Sequence, residues 1–472
     1  MAIDRERLHR VLNPQTVVVV GDKPPFTWLL PQGEYQGQLY SVQVDPGLAE
    51  QIVRLGVPNA SSLREVPFDH IDLVICAVPR RVAPLILEDA IAVGASGIHF
   101  FTAGFAEVGD EEGLALQQRL AARVRESGIV MIGPNCMGIY NRRMGLKFHP
   151  DMKRGDGRGV SFIGQSGTHS MNLTLMAEAA GLNVARAISI GNAVTTTETD
   201  VLDYLRDDPE TEAIGMYLEG VRDGRRFLNA LRATVPTKPV VVWRGGISAA
   251  GKRATLSHTA SLAGANEVWD AVMRQTGATA VRSVDETIDV LQALVRGGRP
   301  AGPRVALLAM TGGQSVAITD AFSSAGLQVP PLSDSSYSLL ADVVNVIGGS
   351  YRNPLDLANT IALDGGGEKL VKILGILAED DGVDGAVFEF SASFFLKAWQ
   401  AQPQLLTDML DALDAFRETS SLPLITVLHP YHEEAAVRPV REHLTRRGYA
   451  VYPSFERAAV AYAKLVDYAT FR

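Results

Sequence analysis

The stretch VSFIGQSGTHSMNLTLMAEAAG, Val160 to Gly181, sets the reading of the whole chain. It begins as a β-branched and aromatic run, turns at Gly164-Gln165-Ser166-Gly167, and continues as a helical pattern. A strand that ends in a small-residue turn and leads into a helix is the unit of a parallel α/β sheet. The turn also has a chemical meaning. It leaves several N–H groups of the helix start unpaired, and the helix dipole adds a field that favours an anion. The same turn can serve simply as an N-cap, and the residues by themselves leave both readings open.

Outward from this stretch the alternation repeats. On the N-terminal side, strands are expected at Thr16–Val20, Leu39–Val44, Leu73–Ala77, Gly97–Phe101 and Ile129–Ile132, with helices at Val82–Val93 and Glu111–Ser127. On the C-terminal side strands are expected near Val160–Ile163, Arg186–Ile190, Ala213–Leu218 and Val240–Trp243. The Gly/Pro-rich run GGRPAGPR, Gly297 to Arg304, reads as a linker. After it a third block opens with Val305–Ala309 and the turn Thr311-Gly312-Gly313, and closes with Leu424–Val427, Tyr449–Tyr452 and a helix over Ser454–Tyr468. The fold class expected is α/β: a Rossmann-like domain over 1–150, then two flavodoxin-like domains over 151–299 and 300–472.

The composition narrows the function. The 472 residues carry a formal charge of -9, spread along the chain, which argues against binding to nucleic acid or an anionic membrane. The two cysteines, Cys76 and Cys136, fit neither a disulfide framework nor a zinc pattern, so no metal site is expected. The charged start MAIDRERLHRVLNPQ and the lack of an 18-residue apolar run point to a cytoplasmic protein.

Other candidate sites sit at expected strand ends. GPNCMGIYN, Gly133 to Asn141, follows a strand, where ligands of open α/β sheets collect. Cys136 within it reads better as a small packing residue than as a nucleophile, because no base adjoins it in sequence. The first strand ends VVVVGDKPPF, with Gly21 alone where a dinucleotide fold would continue G-x-G-x-x-G, so NAD is disfavoured. Lys23 offers a cation there. His258 lies in the small-residue segment Gly245–Ala263. It is either a hydrogen-bonded surface histidine or a nucleophile whose second nitrogen needs a carboxylate, and Glu219, at the end of an expected strand, could supply one.

Seven segments in order, FTAGFAEVG (101–109), GPNCMGIYN (133–141), FIGQSGT (162–168), YLEGVRDGRRFL (217–228), SHTASLAG (257–264), NPLDL (353–357) and YPSFERAAVA (452–461), resemble the nucleoside-diphosphate-forming acyl-CoA synthetases, the superfamily of succinyl-CoA synthetase, and within it the ADP-forming acetyl-CoA synthetase alpha subunits. The resemblance covers essentially the whole chain. It implies an acid–CoA ligase that makes an acyl-CoA from a carboxylic acid, CoA and ATP through an acyl phosphate. It makes His258 the transiently phosphorylated histidine, Glu219 its orienting carboxylate, and Gln165, Ser166, Gly167 and Thr168 the turn that holds the phosphoryl group. It assigns CoA to Gly21, Lys23, Val78, Pro79, Thr102, Ala103, Gly104 and Asn135, and the acyl group to Cys136, Met137, His169 and Met171. No ATP-grasp pattern occurs in the chain, so ATP/ADP and Mg²⁺ are expected on a partner ATP-grasp beta subunit in a hetero-oligomer with paired alpha chains. Two other functions remain open beside it: a related acyl or carbamoyl phosphate-forming transferase that has lost CoA binding, and a non-catalytic CoA-sensing subunit.

Overall fold

The computed structural model describes residues 3–253, 265–361, 366–431 and 434–471. They form three sheets in two compact units, Met1–Thr287 and Ile288–Arg472.

The first unit holds two six-stranded sheets. The first sheet is built from β1 (Thr16–Val20), β2 (Gln38–Val42), β3 (Asn59–Ala60), β4 (Leu73–Cys76), β5 (Gly97–Phe100) and β6 (Val130–Ile132), in the order β3-β2-β1-β4-β5-β6, all parallel. Its central strands read VVVV and LVIC because parallel strands are covered on both faces. The second sheet is built from β7 (Gly138–Asn141), β8 (Gly159–Gly164), β9 (Val184–Ser189), β10 (Thr211–Leu218), β11 (Val240–Arg244) and β12 (Thr279–Val281). Its order is β12-β11-β10-β8-β9-β7, and β7 is antiparallel to β9. Strand β7 follows directly on the last strand of the first sheet yet pairs into the second.

The second unit holds β13 (Val305–Ala309), β14 (Leu355–Asp356), β15 (Gly385–Glu389), β16 (Leu424–Val427) and β17 (Val451–Tyr452), ordered β14-β13-β15-β16-β17. Successive residues of β13 point to opposite faces: Val305, Leu307 and Ala309 join one buried cluster, and Ala306, Leu308 and Met310 the other. The strand order reproduces that of β9-β8-β10-β11-β12, so each sheet has a founding strand, β8 or β13, beside a strand that ends next to an acid, β10 before Glu219 or β15 at Glu389.

The helix Val284–Arg296 lies mostly in the second unit. Asp289 pairs with Arg457, Gln292 Oε1 accepts the amide of Val451, and Arg296 donates to the carbonyl of Tyr449. The run Gly297–Arg304 therefore lies inside that unit, and the two units divide at Thr287/Ile288. No helix of the described residues is long and apolar enough to cross a membrane.

Candidate active site at the sheet edges

Strand β8 ends at Gly164, and Ser166 caps the helix Gly167–Ala179, its hydroxyl accepting the amide of His169. A side chain at Gly167 would place its Cβ 2.7 Å from Met137 Cγ, so glycine is what lets the GPNCMG loop close over the helix start. The amide of Gln165 donates to Tyr217, and its side chain reaches across to the end of β10. Its Oε1 accepts the amides of Glu219 (2.6 Å) and Gly220 (3.1 Å), while its Nε2 donates to the Gly220 carbonyl at 2.8 Å. Gln165 is thus committed to the backbone that carries Glu219. Glu219 is 4% exposed, and the Tyr217 hydroxyl donates to its Oε1 at 3.2 Å. Burial, with Glu219 beside it, pushes the Tyr217 phenol up, so it stays a donor.

The structure brings Glu219 and the Gln165–Thr168 turn together on neighbouring strands. His258 lies outside the described residues. His169, on the first turn of the helix, packs into a group of three rings with Tyr217 (4.3 Å between centroids) and Trp243 (4.5 Å), and Tyr217 and Trp243 are 4.7 Å apart. Met137 and Met171 are half-buried, and Met137 faces the helix start through Gly167. Cys136 is fully packed with its Sγ against the carbonyl of Phe100, and burial pushes its thiol well up, which disfavours a thiolate there.

The CoA candidates gather at the carboxyl ends of four neighbouring strands, β1, β4, β5 and β6. Gly21 (φ +78) backs onto Val78, whose Cγ1 would be 2.6 Å from an added Cβ. The Thr102 hydroxyl donates to the Val78 carbonyl at 2.7 Å, and the Asn135 amide donates to the Thr102 carbonyl. Lys23, Pro79 and Ala103 are exposed at this edge. Some amides here are already used. Asp22, 3% exposed, accepts from Trp28 and Leu29 at 3.0 Å each and from Lys23 at 3.1 Å, so the first loop folds around its own carboxylate. Burial pushes the Asp22 carboxyl up against those hydrogen bonds. Glu107 Oε1 likewise accepts the amides of Gly104 (2.6 Å) and Phe105 (3.1 Å).

Three residues that sequence reasoning did not single out organise these edges. Asp22 and Glu107 cap the loops. The side chain of Asn192, 7% exposed, bonds to both Glu107 and Asn135. An acid directly after a strand-end glycine is a recognisable turn signal for Asp22. The partners of Glu107 and Asn192 lie in different parts of the chain and leave no local trace. Among the described residues, no group of three or more His, Cys, Asp or Glu side chains is placed to hold a metal ion.

Two family models match parts of the chain. Residues 40–142 match the CoA binding domain, and residues 157–294 match the succinyl-CoA ligase like flavodoxin domain. The chain is 31% identical over 380 residues to the acetate–CoA ligase [ADP-forming] II subunit alpha of Pyrococcus furiosus, covering 79% of this chain and 80% of that one. It is 30% identical over 393 residues to the acetate–CoA ligase [ADP-forming] II of Archaeoglobus fulgidus, covering 80% of this chain and 56% of that longer protein. Its fold matches the Ca. Korarchaeum cryptofilum dinucleotide forming acetyl-coenzyme A synthetase 1, solved in complex with phosphate and ADP, with a TM-score of 0.83 at 25% identity over 98% of this chain and 97% of that one. The chain belongs to the nucleoside-diphosphate-forming acyl-CoA synthetases, the family of the ADP-forming acetate–CoA ligases.

Proposed function

We propose that this chain is the alpha component of an ADP- or GDP-forming acid–CoA ligase, carrying the CoA-binding, acyl-transfer and phosphohistidine elements. The observation that carries this reading is the placement of Glu219. A buried carboxylate, fixed by Gln165 through its own backbone amide and by Tyr217 through its oxygen, stands beside a helix start. That pairing suits a histidine that must take up and release a phosphoryl group. The helix start stabilises the phosphoryl charge, and the carboxylate holds the imidazole tautomer with the reacting nitrogen unprotonated.

In this reading the phosphoryl group passes from the nucleotide to His258, forming the N–P bond as the β–γ bridge breaks. The carboxylate of the acid then attacks phosphorus and His258 leaves, giving an acyl phosphate. The CoA thiolate attacks the acyl carbon, the C–O bond breaks, and phosphate departs. Gln165–Thr168 shape the phosphoryl position, and the first-sheet edge from Gly21 to Asn135 holds CoA. Cys136, Met137, His169 and Met171 border the acyl group. Nucleotide and Mg²⁺ belong to an ATP-grasp partner subunit, in a cytoplasmic heteromer.

The test is the pair of the full-length chain and its ATP-grasp partner with γ-labelled ATP. An acid-labile, base-stable label on the wild-type chain, lost together with thioester formation in His258→Ala, supports the reading. Normal turnover by His258→Ala overturns it.

A further inference from the structure

We infer that Asn192 is a positioning residue that ties the CoA-binding edge of the first sheet to the phosphoryl-relay edge of the second. The relay half of this inference rests on the function proposed above; the CoA half rests on the match of residues 40–142 to the CoA binding domain.

Asn192 follows β9 in the second sheet. Its Nδ2 donates to Glu107 Oε2 at 2.6 Å and to Gln117 Oε1 at 3.0 Å, and its Oδ1 accepts from Asn135 Nδ2 at 3.4 Å. Its carbonyl accepts from Arg222 at 2.8 Å, and its amide donates to the Pro134 carbonyl at 3.0 Å. These partners come from several pieces of the chain, with Pro134 and Asn135 sharing the loop after β6. Through its other oxygen, Glu107 holds the amides of Gly104 and Phe105 in the loop after β5. Asn135 belongs to the loop after β6. Arg222 lies three residues beyond Glu219.

A hydrogen-bonded bridge of this kind transmits position because each member has a fixed direction and few alternatives inside the fold. If Asn192 is shortened, Glu107 loses the donor on Oε2 and becomes free to leave Gly104 and Phe105. The loop after β5 then loses its side-chain tie toward the loop that carries Glu219 and keeps only the backbone ties through Asn135 and Pro134. The chemistry on each side survives, but the thiol and the acyl group no longer meet in register. Loss of CoA affinity with retained phosphorylation is the signature, and a merely structural asparagine would not produce that split.

The experiment uses the full-length chain with its ATP-grasp partner. In Asn192→Ala the KM for CoA rises roughly 10-fold, the size expected for a coupling element, while labelling of the chain from ATP stays at the wild-type level. Calorimetric titration of CoA into the chain shows the same loss. Glu107→Ala alone weakens CoA, and the double variant with Asn192→Ala is no worse, because the two act through one bridge. Asn192→Asp keeps the shape but sets a second carboxylate against Glu107, and its loss is the larger. An unchanged KM for CoA in both Asn192 variants, or penalties that multiply in the double variant, overturns the inference. If the wild-type pair takes up no label, the function proposed above fails instead, and the CoA titration still decides the role of Asn192.

Discussion

Gln165 Oε1 lies 2.6 Å from the amide nitrogen of Glu219, and the same oxygen also takes the amide of Gly220. One amide side chain thus fixes the backbone that presents the acid, although from sequence Gln165 read as part of the anion-binding turn. Its side-chain groups are satisfied by the chain itself. In the proposed function, holding the phosphoryl group at this turn therefore falls to the helix amides that follow and to the hydroxyl of Thr168, which is exposed.

Replacing Gln165 by leucine removes its hydrogen bonds to three buried groups, the amides of Glu219 and Gly220 and the Gly220 carbonyl. Each such group costs about 1–3 kcal/mol, and local relaxation recovers part of it, so the variant should lose roughly 3 kcal/mol in denaturant unfolding. Phosphoryl labelling should fall at least roughly 10-fold, in line with the loss of one positioning contact at a reacting centre. Labelling at the wild-type rate by a folded Gln165→Leu chain would show that Glu219 needs no such clamp.

His99 predicts an acid-side weakness of the first unit. It is 1% exposed, its Nε2 lies 3.0 Å from the Cys136 carbonyl, and its ring meets Trp28 edge-on at 5.1 Å. Burial lowers its pKa to about 4, opposed in part by the hydrogen bond to Cys136. The folded state keeps the ring neutral while the unfolded chain protonates near 6.5, so stability is full above that pH and declines as pH falls toward 4. The whole effect is of order 3 kcal/mol. Thermal unfolding between pH 4 and pH 8 should show the decline, and His99→Gln should flatten it.

Glu389 predicts the opposite trend in the second unit. It is completely buried, with Oε2 accepting the amide of Met310 at 3.0 Å and Oε1 without a hydrogen-bond partner among the described residues. Burial raises its pKa to about 7, with Asp356 adding to the rise. The folded state therefore binds a proton that the unfolded chain has released, and this contribution, of order 3 kcal/mol, is lost as pH rises from 4.5 to 7. Glu389→Gln carries no charge at any pH. Its second unit should be more stable than wild type at pH 8 and should lose the slope; a slope that persists in Glu389→Gln would assign it to another group.

The strands were legible where their residues are apolar and long enough to be covered on both faces. Thr16–Val20, Val305–Ala309 and Leu424–Val427 were read with their observed limits. Strands β3, β14 and β12 are two or three residues long and carry too little pattern to separate them from loops. Strand β7 was hidden for another reason: GIYN reads as the tail of the GPNCMG loop, and only its partner β9 gives it an extended role. The turn Gly164–Gly167 and Glu219 were legible because a strand end and a helix start are local events. The bridge Glu107–Asn192–Asn135 was not, since its three members come from three loops and none stands in an unusual local pattern.

Strand β7 also bears on how the chain is made. Synthesis delivers the first sheet complete at Ile132, and β7 leaves the ribosome next, but the strand it must pair with, Val184–Ser189, has yet to be translated. A nascent first domain therefore waits with an unpaired four-residue strand at its end that is buried only in the finished fold, and its early folding depends on keeping that strand from other edges until β9 arrives.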